Sequence, residues 1–439
     1  MALATVLLYL VVIYVRPGEV IEGWEGFPFA AIVQAVSAIA VALSLAVRPR
    51  SFWNQPHDRY VAGFFAASLL SNVAWGWFGG AYRTLLDVGP QVVCYFLLRG
   101  AIRSARDLRW VGYTLVAATL FQAVVGIAQF QSGVGLGGVS VIETHTDADA
   151  QADDQADEDP GAVRRIRGTG IFNDPNDLAM AFVVAVPFLL GPIVRRRSPL
   201  PARALASASL VPILTALYYT NSRGGVLGLG AVLVLYCWRV GKAAGTLIAV
   251  VGLTALIALG PSRMSELDSE DSSAQGRVQS WAAGLQMLKS HPVLGVGYLR
   301  YTEFNDLVAH NSFVHTLGEL GSVGAFFFTG MIYWLFRGTP RVLHPAQRDP
   351  ELAGLSAWGD DLRCGSFGLC VCAMFLSRQY SSLLFNSVAL SACYRQILQD
   401  ADPTMKPEGI SDLAAVGAAT VGGVVIVYVL VRVLALWGG

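Results

Sequence analysis

Apolar residues along this chain gather into runs long enough to cross a bilayer, divided by short polar breaks, and the pattern repeats almost from end to end. Mostly apolar stretches close to the 17 to 25 residues that a helix needs to traverse hydrocarbon lie near 2–15, 28–47, 60–77, 81–98, 109–129, 177–194, 202–219, 224–238, 243–260, 310–336, 365–385 and 411–437. The first is short and the fourth only moderately apolar. Twelve such runs predict an all-α polytopic membrane protein, a single integral domain over 1–439 with long breaks at about 130–176 and 261–309.

Polar positions in the breaks orient the spans. Counted from an inner N-terminus, the inner loops hold 17 of the 31 Lys and Arg residues and the outer loops 12. The inner ones cluster in short loops such as RRRSPLPAR, where the positive-inside bias acts most strongly. Both termini are therefore expected on the cytoplasmic side. Composition agrees with the pattern: the chain is 54% hydrophobic and 14% charged, with a mean hydropathy of +0.51, outside the usual soluble range. Its net charge is zero, and the absence of a compact basic domain excludes nucleic-acid binding. Five of the six cysteines fall in or beside spans and Cys393 alone is expected in an outer loop, so no disulfide framework is predicted.

The two long outer breaks differ in chemistry. The first carries ETHTDADAQADDQADEDP, with eight acidic residues between Glu143 and Asp159 and almost no apolar partner, a composition that predicts a disordered, solvated insert. The second carries GRVQSWAAGLQMLKSHPVLGVGYLRY, in which Val278, Trp281, Leu285 and Leu288 recur at helical spacing. This predicts an amphipathic helix lying on the membrane or capping the bundle, ended by His291-Pro292. The GVG at 295–297 reads as a turn or a close backbone approach, being too short to mark a nucleotide loop.

Candidate chemistry concentrates at the outer ends of the spans. In AHNSFVHTLGELGSVG, Asn311, His315 and Glu319 are four apart and share one helical stripe. An ionisable residue at that depth in lipid costs about 2.5–3.5 kcal/mol on insertion scales and usually faces a cavity or a partner. Two arrangements fit: a functional cavity, or a structural one in which Asn311 caps the helix and His315 and Glu319 satisfy each other. His310 stands at the helix entrance, where a neutral imidazole with an ordinary pKa near 6.5 is able to take a proton from a hydroxyl. Arg167 in RIRGTGIFNDPND, Arg223 in NSRGGVL and Arg277 in QGRVQSW lie on the same side. Arginine forks match phosphate oxygens bidentately, so their convergence suggests a phosphate at headgroup depth, whereas any one alone is explained by snorkelling. In NDPND, capping accounts for Asp174 and Asp177 better than a paired-carboxylate metal site does.

These residues resemble the O-antigen ligase and polymerase superfamily of bacterial lipid-linked glycan transferases. SRGGVL supplies an arginine, three residues and a leucine, at Arg223 and Leu227. His310-Asn311, nine residues, Gly321, two residues and Gly324 fit the ligase signature, with HPVLGVG ahead of them. The resemblance implies a glycan donor on undecaprenyl diphosphate, an acceptor glycan or glycolipid such as lipid A-core, and transfer with inversion at the periplasmic face of the inner membrane, without metal or other cofactor. It implies Arg223 and Arg277 on the diphosphate and His310 as base; Arg167, Asn311, His315 and Glu319 join them on the reading above. The acidic insert is not explained by it. A polymerase that extends the chain on its lipid carrier is the close alternative, and a small-anion transporter the more distant one, disfavoured because no internal repeat is visible.

Overall fold

The computed structural model describes residues 1–144, 163–195, 198–239, 271–340, 350–401 and 409–437. In chain order the longer helices are α1 (Ala2–Val15), α2 (Phe29–Val47), α3 (Pro56–Val73), α4 (Phe78–Asp87), α5 (Gly89–Ala101), α6 (Ala105–Ser132), α7 (Pro175–Val194) and α8 (Leu200–Tyr219), then α9 (223–239), α10 (Asp271–Ser290), α11 (Ser312–Arg337), α12 (Pro350–Ala373), α13 (Ser382–Ala401) and α14 (Ile410–Trp437). Seven of them, α1 with the turn that follows it, α2, α6, α7, α8, α11 and α14, are long and apolar enough to cross a membrane. The expected span at 243–260 lies outside the described residues, as does the acidic segment beyond Thr144. The fold is not wholly helical: Ile142–Thr144 (β1) pairs antiparallel with Val163–Arg165 (β2), with Ile142 opposite Arg165.

Helix α3 is less apolar than its neighbours because it runs through the middle of the bundle. His57, Asp58, Ser68, Ser71 and Asn72 are all buried on it. Each such group needs an internal partner once water is gone: Ser68 donates to Phe64 O (2.9 Å), Asn72 donates to Thr84 Oγ1 (3.2 Å), and His57 Nε2 donates to Trp334 O (3.0 Å). Asp58 accepts two guanidinium bonds from Arg99 (2.9 and 3.0 Å) and one from the Tyr95 hydroxyl (2.7 Å). Both charges of this pair are fully buried.

Three expectations change. The run at 81–98 is two helices, α4 and α5, divided at Val88. The run at 365–385 straddles a break: α12 ends at Ala373 and α13 starts at Ser382, because SRQYSS (377–382) is too polar to continue a buried helix. Cys393 and Arg395, assigned to an outer loop, lie buried on α13, with Arg395 4.9 Å from the Trp334 ring. All six cysteines are free. Met1 shares a cavity at the lower face with Ser44, Arg48 and Arg103. Helix α14 has Tyr333 donating to Asp412 (2.8 Å) at its start and runs antiparallel to α11 until Val427 packs on Met287, Tyr301 and Val314.

The feature that shapes the upper face is a break within α11. Gly321 has φ 62° and ψ −159°, a region open only to glycine. The freed backbone groups are taken up by the incoming segment 292–297: Val296 N donates to Gly318 O (3.0 Å), Gly297 N to Glu319 O (2.9 Å), Ser322 N to Pro292 O (2.9 Å) and Val323 N to Val293 O (3.1 Å). Irregular backbone at membrane depth is tolerated only when protein satisfies it in this way. A Cβ on Gly321 would lie 2.5 Å from Val293 O, and one on Gly295 2.4 Å from the Glu319 carbonyl. The close approach expected at 295–297 is thus a backbone graft into the helix, and it explains why the signature needs glycine ten positions after Asn311.

Two stability effects follow from these contacts. Gly321→Ala is expected to cost at least about 1–3 kcal/mol through backbone strain alone, read as a lower Tm in detergent; an unchanged Tm would contradict the graft. Asp58→Ala strands a buried guanidinium and is expected to cost about 3–5 kcal/mol, with much of the loss recovered by adding Arg99→Met. A double variant no more stable than Asp58→Ala would rule out this account.

Candidate active site at the upper face

His310 is set by the segment that leads into α11. On α10, Arg277, Ser280 and Trp281 share one side of the helix by their i, i+3, i+4 spacing. The loop is stapled to that side: Tyr301 Oη donates to Ser280 O (2.5 Å), Asn305 Nδ2 to Ser280 Oγ (3.2 Å) and Trp281 Nε1 to Ala309 O (2.9 Å). These bonds fix Ala309 against α10 and bring the next residue, His310, within electrostatic range of Arg277. His310 has φ 46° and an exposed side chain. It is one of four non-glycine residues with positive φ among those described, and Asn221, two residues before Arg223, is another. Such strain is characteristic of functional positions.

The amphipathic helix caps the bundle, packing on α11 and α14. Its buried face is Ser280, Gly284 and Met287, next to the stripe read from the sequence, whose Val278, Trp281, Leu285 and Leu288 are half-buried. The offset arises because Gly284 allows Val314 and Tyr301 to approach closely.

Charge around His310 comes from every element packed there. Partial burial and, after it, the Arg277 guanidinium hold its pKa below 6.5; Asp174 opposes that shift, while His315 and Arg378 reinforce it. The imidazole is thereby kept neutral, the form in which it accepts a proton.

Arginines expected at this face divide into two groups. Arg277 has no carboxylate partner among the described residues. Arg223 opens α9 behind Ser222, whose hydroxyl accepts from Gly225 N (3.2 Å). The two glycines after it admit protein rather than ligand: a Cβ on Gly224 would stand 3.2 Å from Phe375 and one on Gly225 2.7 Å from Ala179. Arg167 is not brought to His310. Its guanidinium donates to Ser140 O (3.0 Å) and Ser140 Oγ (3.4 Å), tying down the strand end before β1. Its neighbour Arg165 reaches toward the α8–α9 junction, donating to Thr220 O (3.0 Å) and Asn176 (3.1 Å).

Asn311 is a helix cap, accepting from Phe313 N (2.9 Å) and Val314 N (3.2 Å), so its side-chain oxygen is committed. His315 Nε2 stands 3.0 Å from Glu319, which also accepts from Tyr380 (3.0 Å). The two residues satisfy each other, and both also wall a cavity. Asp174 caps α7 through Asn176 N (2.8 Å) and Asp177 N (3.3 Å). Asp177 is bound by Arg378.

Arg378 is the residue that sequence reasoning misplaced. Put inside the 365–385 span, it instead lies on the connection between α12 and α13 at the upper face. Its backbone N donates to Ser312 Oγ (2.9 Å), and that hydroxyl donates to Leu376 O (2.6 Å), which staples the connection to the start of α11. Phe375 on the same connection abuts Gly224, so Arg223 and Arg378 flank one stretch of backbone. The polar run 377–382 was the available signal.

Helices of this length and apolarity define a polytopic membrane protein, with His310 and Arg277 within electrostatic range at one face. Residues 208–329 match the family model described as O-antigen ligase, so this stretch of the chain is similar to that family. The block holds Arg223, Arg277, His310 and the broken helix as far as Thr329. A search of curated proteins returns no match.

The electrostatics are open to direct test. In ring-labelled protein, NMR titration of His310 is expected to give a pKa below 6.5. Arg277→Ala removes a repelling charge and so raises that value; a downward shift or none would show that Arg277 does not face the imidazole.

Proposed function

We propose that this protein transfers a glycan from undecaprenyl diphosphate to an acceptor sugar at the periplasmic face of the bacterial inner membrane. The observation that carries the reading is that one O-antigen ligase block, 208–329, encloses Arg223, Arg277 and His310, with His310 and Arg277 in mutual electrostatic range. The acceptor hydroxyl attacks the anomeric carbon from the face opposite the diphosphate and passes its proton to neutral His310. The carbon–oxygen bond to the diphosphate breaks, its electron pair remains on the leaving oxygen, and Arg223 and Arg277 stabilise the charge that gathers there. Preorganised cations of this kind give the largest single contribution to such a step. Arg167, engaged with Ser140, has no part in it. The grafted segment 292–297 and the stapled loop hold base and guanidinium in register, which is what proximity catalysis requires.

Acceptor identity separates ligase from polymerase, and we assign the ligase reaction, with lipid A-core or a similar glycolipid as acceptor. The test is a gel-resolved transfer assay with undecaprenyl-diphosphate oligosaccharide and a lipid A-core acceptor. One shifted acceptor band is the ligase result, a ladder of donor-linked products the polymerase result, and no transfer with several pairs would favour an anion transporter. His310→Ala is expected to lower turnover by about 10²–10⁴-fold with donor binding retained. Arg223→Ala and Arg277→Ala are expected to weaken use of the donor. Near-normal turnover in His310→Ala would remove it as the base.

A further inference from the structure

A cavity of about 490 Å³ opens beneath the α12–α13 connection, within the size range of small-ligand sites. Its polar wall is made by Tyr298, His315, Glu319, Ser377, Gln379 and Tyr380. Three buried atoms among these residues, His315 Nδ1, Ser377 Oγ and Gln379 Oε1, have no hydrogen-bond partner. Gln379 is 1% exposed and His315 7%. Buried polar atoms are nearly always paired, and an orphan costs about 1–3 kcal/mol, so three on one wall point to a ligand that completes them.

The chemistry of that ligand follows from what is already used. Glu319 is engaged by His315 and Tyr380 (3.0 Å each), and Arg378, also on the wall, is engaged by Asp177. The carboxylates on the wall are thus engaged within the protein, and the atoms left over, an imidazole nitrogen, a hydroxyl and an amide oxygen, suit the hydroxyls of a sugar. Tyr298 and Tyr380 meet edge to face with ring centroids 4.8 Å apart and add apolar surface of the kind that C–H bonds of a pyranose pack against. We infer that this cavity is a sugar subsite that holds one ring of the transferred or accepting glycan, with Ser377 and Gln379 as its specificity-determining side chains. The inference rests on the glycosyl-transfer reading. His315 ties the two together, because it lines the cavity and lies within electrostatic range of His310.

The test compares wild type with Ser377→Ala/Gln379→Leu, full-length in lipid nanodiscs, by titration calorimetry with three probes: bare undecaprenyl diphosphate, the same carrier bearing its glycan, and delipidated core oligosaccharide. The variant is expected to bind the bare carrier as wild type does and to lose about tenfold in affinity for one glycan ligand through its missing hydrogen bonds. Loss on the glycan-bearing carrier assigns the site to the donor sugar, and loss on core oligosaccharide to the acceptor. The Gln379 side chain also bonds Tyr380, whereas Ser377 Oγ has no protein partner, so in Ser377→Ala alone the Tm should hold or rise, whereas a merely structural role would lower it. Equal loss on the bare carrier, unchanged affinity for both glycan ligands, or a fall in Tm together with all three affinities would each overturn the inference. Wild type that binds glycan here but transfers none would defeat the transfer reading and leave the sugar site standing. Wild type that transfers, with a variant that binds both glycan ligands normally, would do the reverse.

Discussion

The break in α11 at Gly321 is the constraint on which the upper face depends. An uninterrupted helix would leave residues 292–297 without the backbone partners that the break supplies. Because four backbone bonds cross the break, α10, the connection after it and the first turns of α11 are held as one piece. Arg277 and His310 belong to that piece. Arg223 and Arg378 belong to another, formed where α7, α9 and the α12–α13 connection meet. The site lies where the two pieces join, and the Arg378–Ser312–Leu376 hydrogen bonds are the direct stitch between them.

Electrostatics at this face rest on a division of labour among cations. Arg378 is neutralised by Asp177 and Arg167 is consumed by the loop at Ser140, so each organises backbone. Arg277, with no carboxylate partner among the described residues, acts on the imidazole at long range. Asp174 caps α7 and tempers the same field. A histidine in this setting keeps its proton-accepting form because partial burial and, after it, the Arg277 guanidinium disfavour the imidazolium.

Much of the architecture was legible in the sequence, and the failures have physical causes. Runs dominated by Leu, Val and Ala at 28–47, 177–194 and 411–437 became long helices near the expected limits, since nothing but a helix satisfies their backbone in hydrocarbon. Hydropathy failed where buried helices keep polar groups satisfied internally: α3, α12 and α13 carry Asp58, Asp361 and Arg395 inside the bundle, and a window average placed one span across two helices. The misreading of 365–385 moved Arg378, Cys393 and Arg395 to the wrong places. Spacing brought Arg277 and His310 to the same face and paired His315 with Glu319. It offered capping as one role for Asn311, but did not foresee that Arg167 is spent on a loop, because that depends on a partner 27 residues away in sequence. The sugar-subsite residues Ser377 and Gln379 were hidden for the same reason as Arg378.

The strand pair β1–β2 has a consequence for how this protein can vary. Ile142 faces Arg165, while Ile166 N donates to Tyr219 O (3.1 Å) and Arg165 to Thr220 O (3.0 Å), so the chain departs for its acidic segment and returns at one pinned point beside the α8–α9 junction. Lengthening a closed loop costs only about 0.6 kcal/mol for each doubling, so insertions between the two strands change the molecule's bulk and charge while the clasp holds the chain on either side of them. The clasp is thus a port at which related chains are free to diverge.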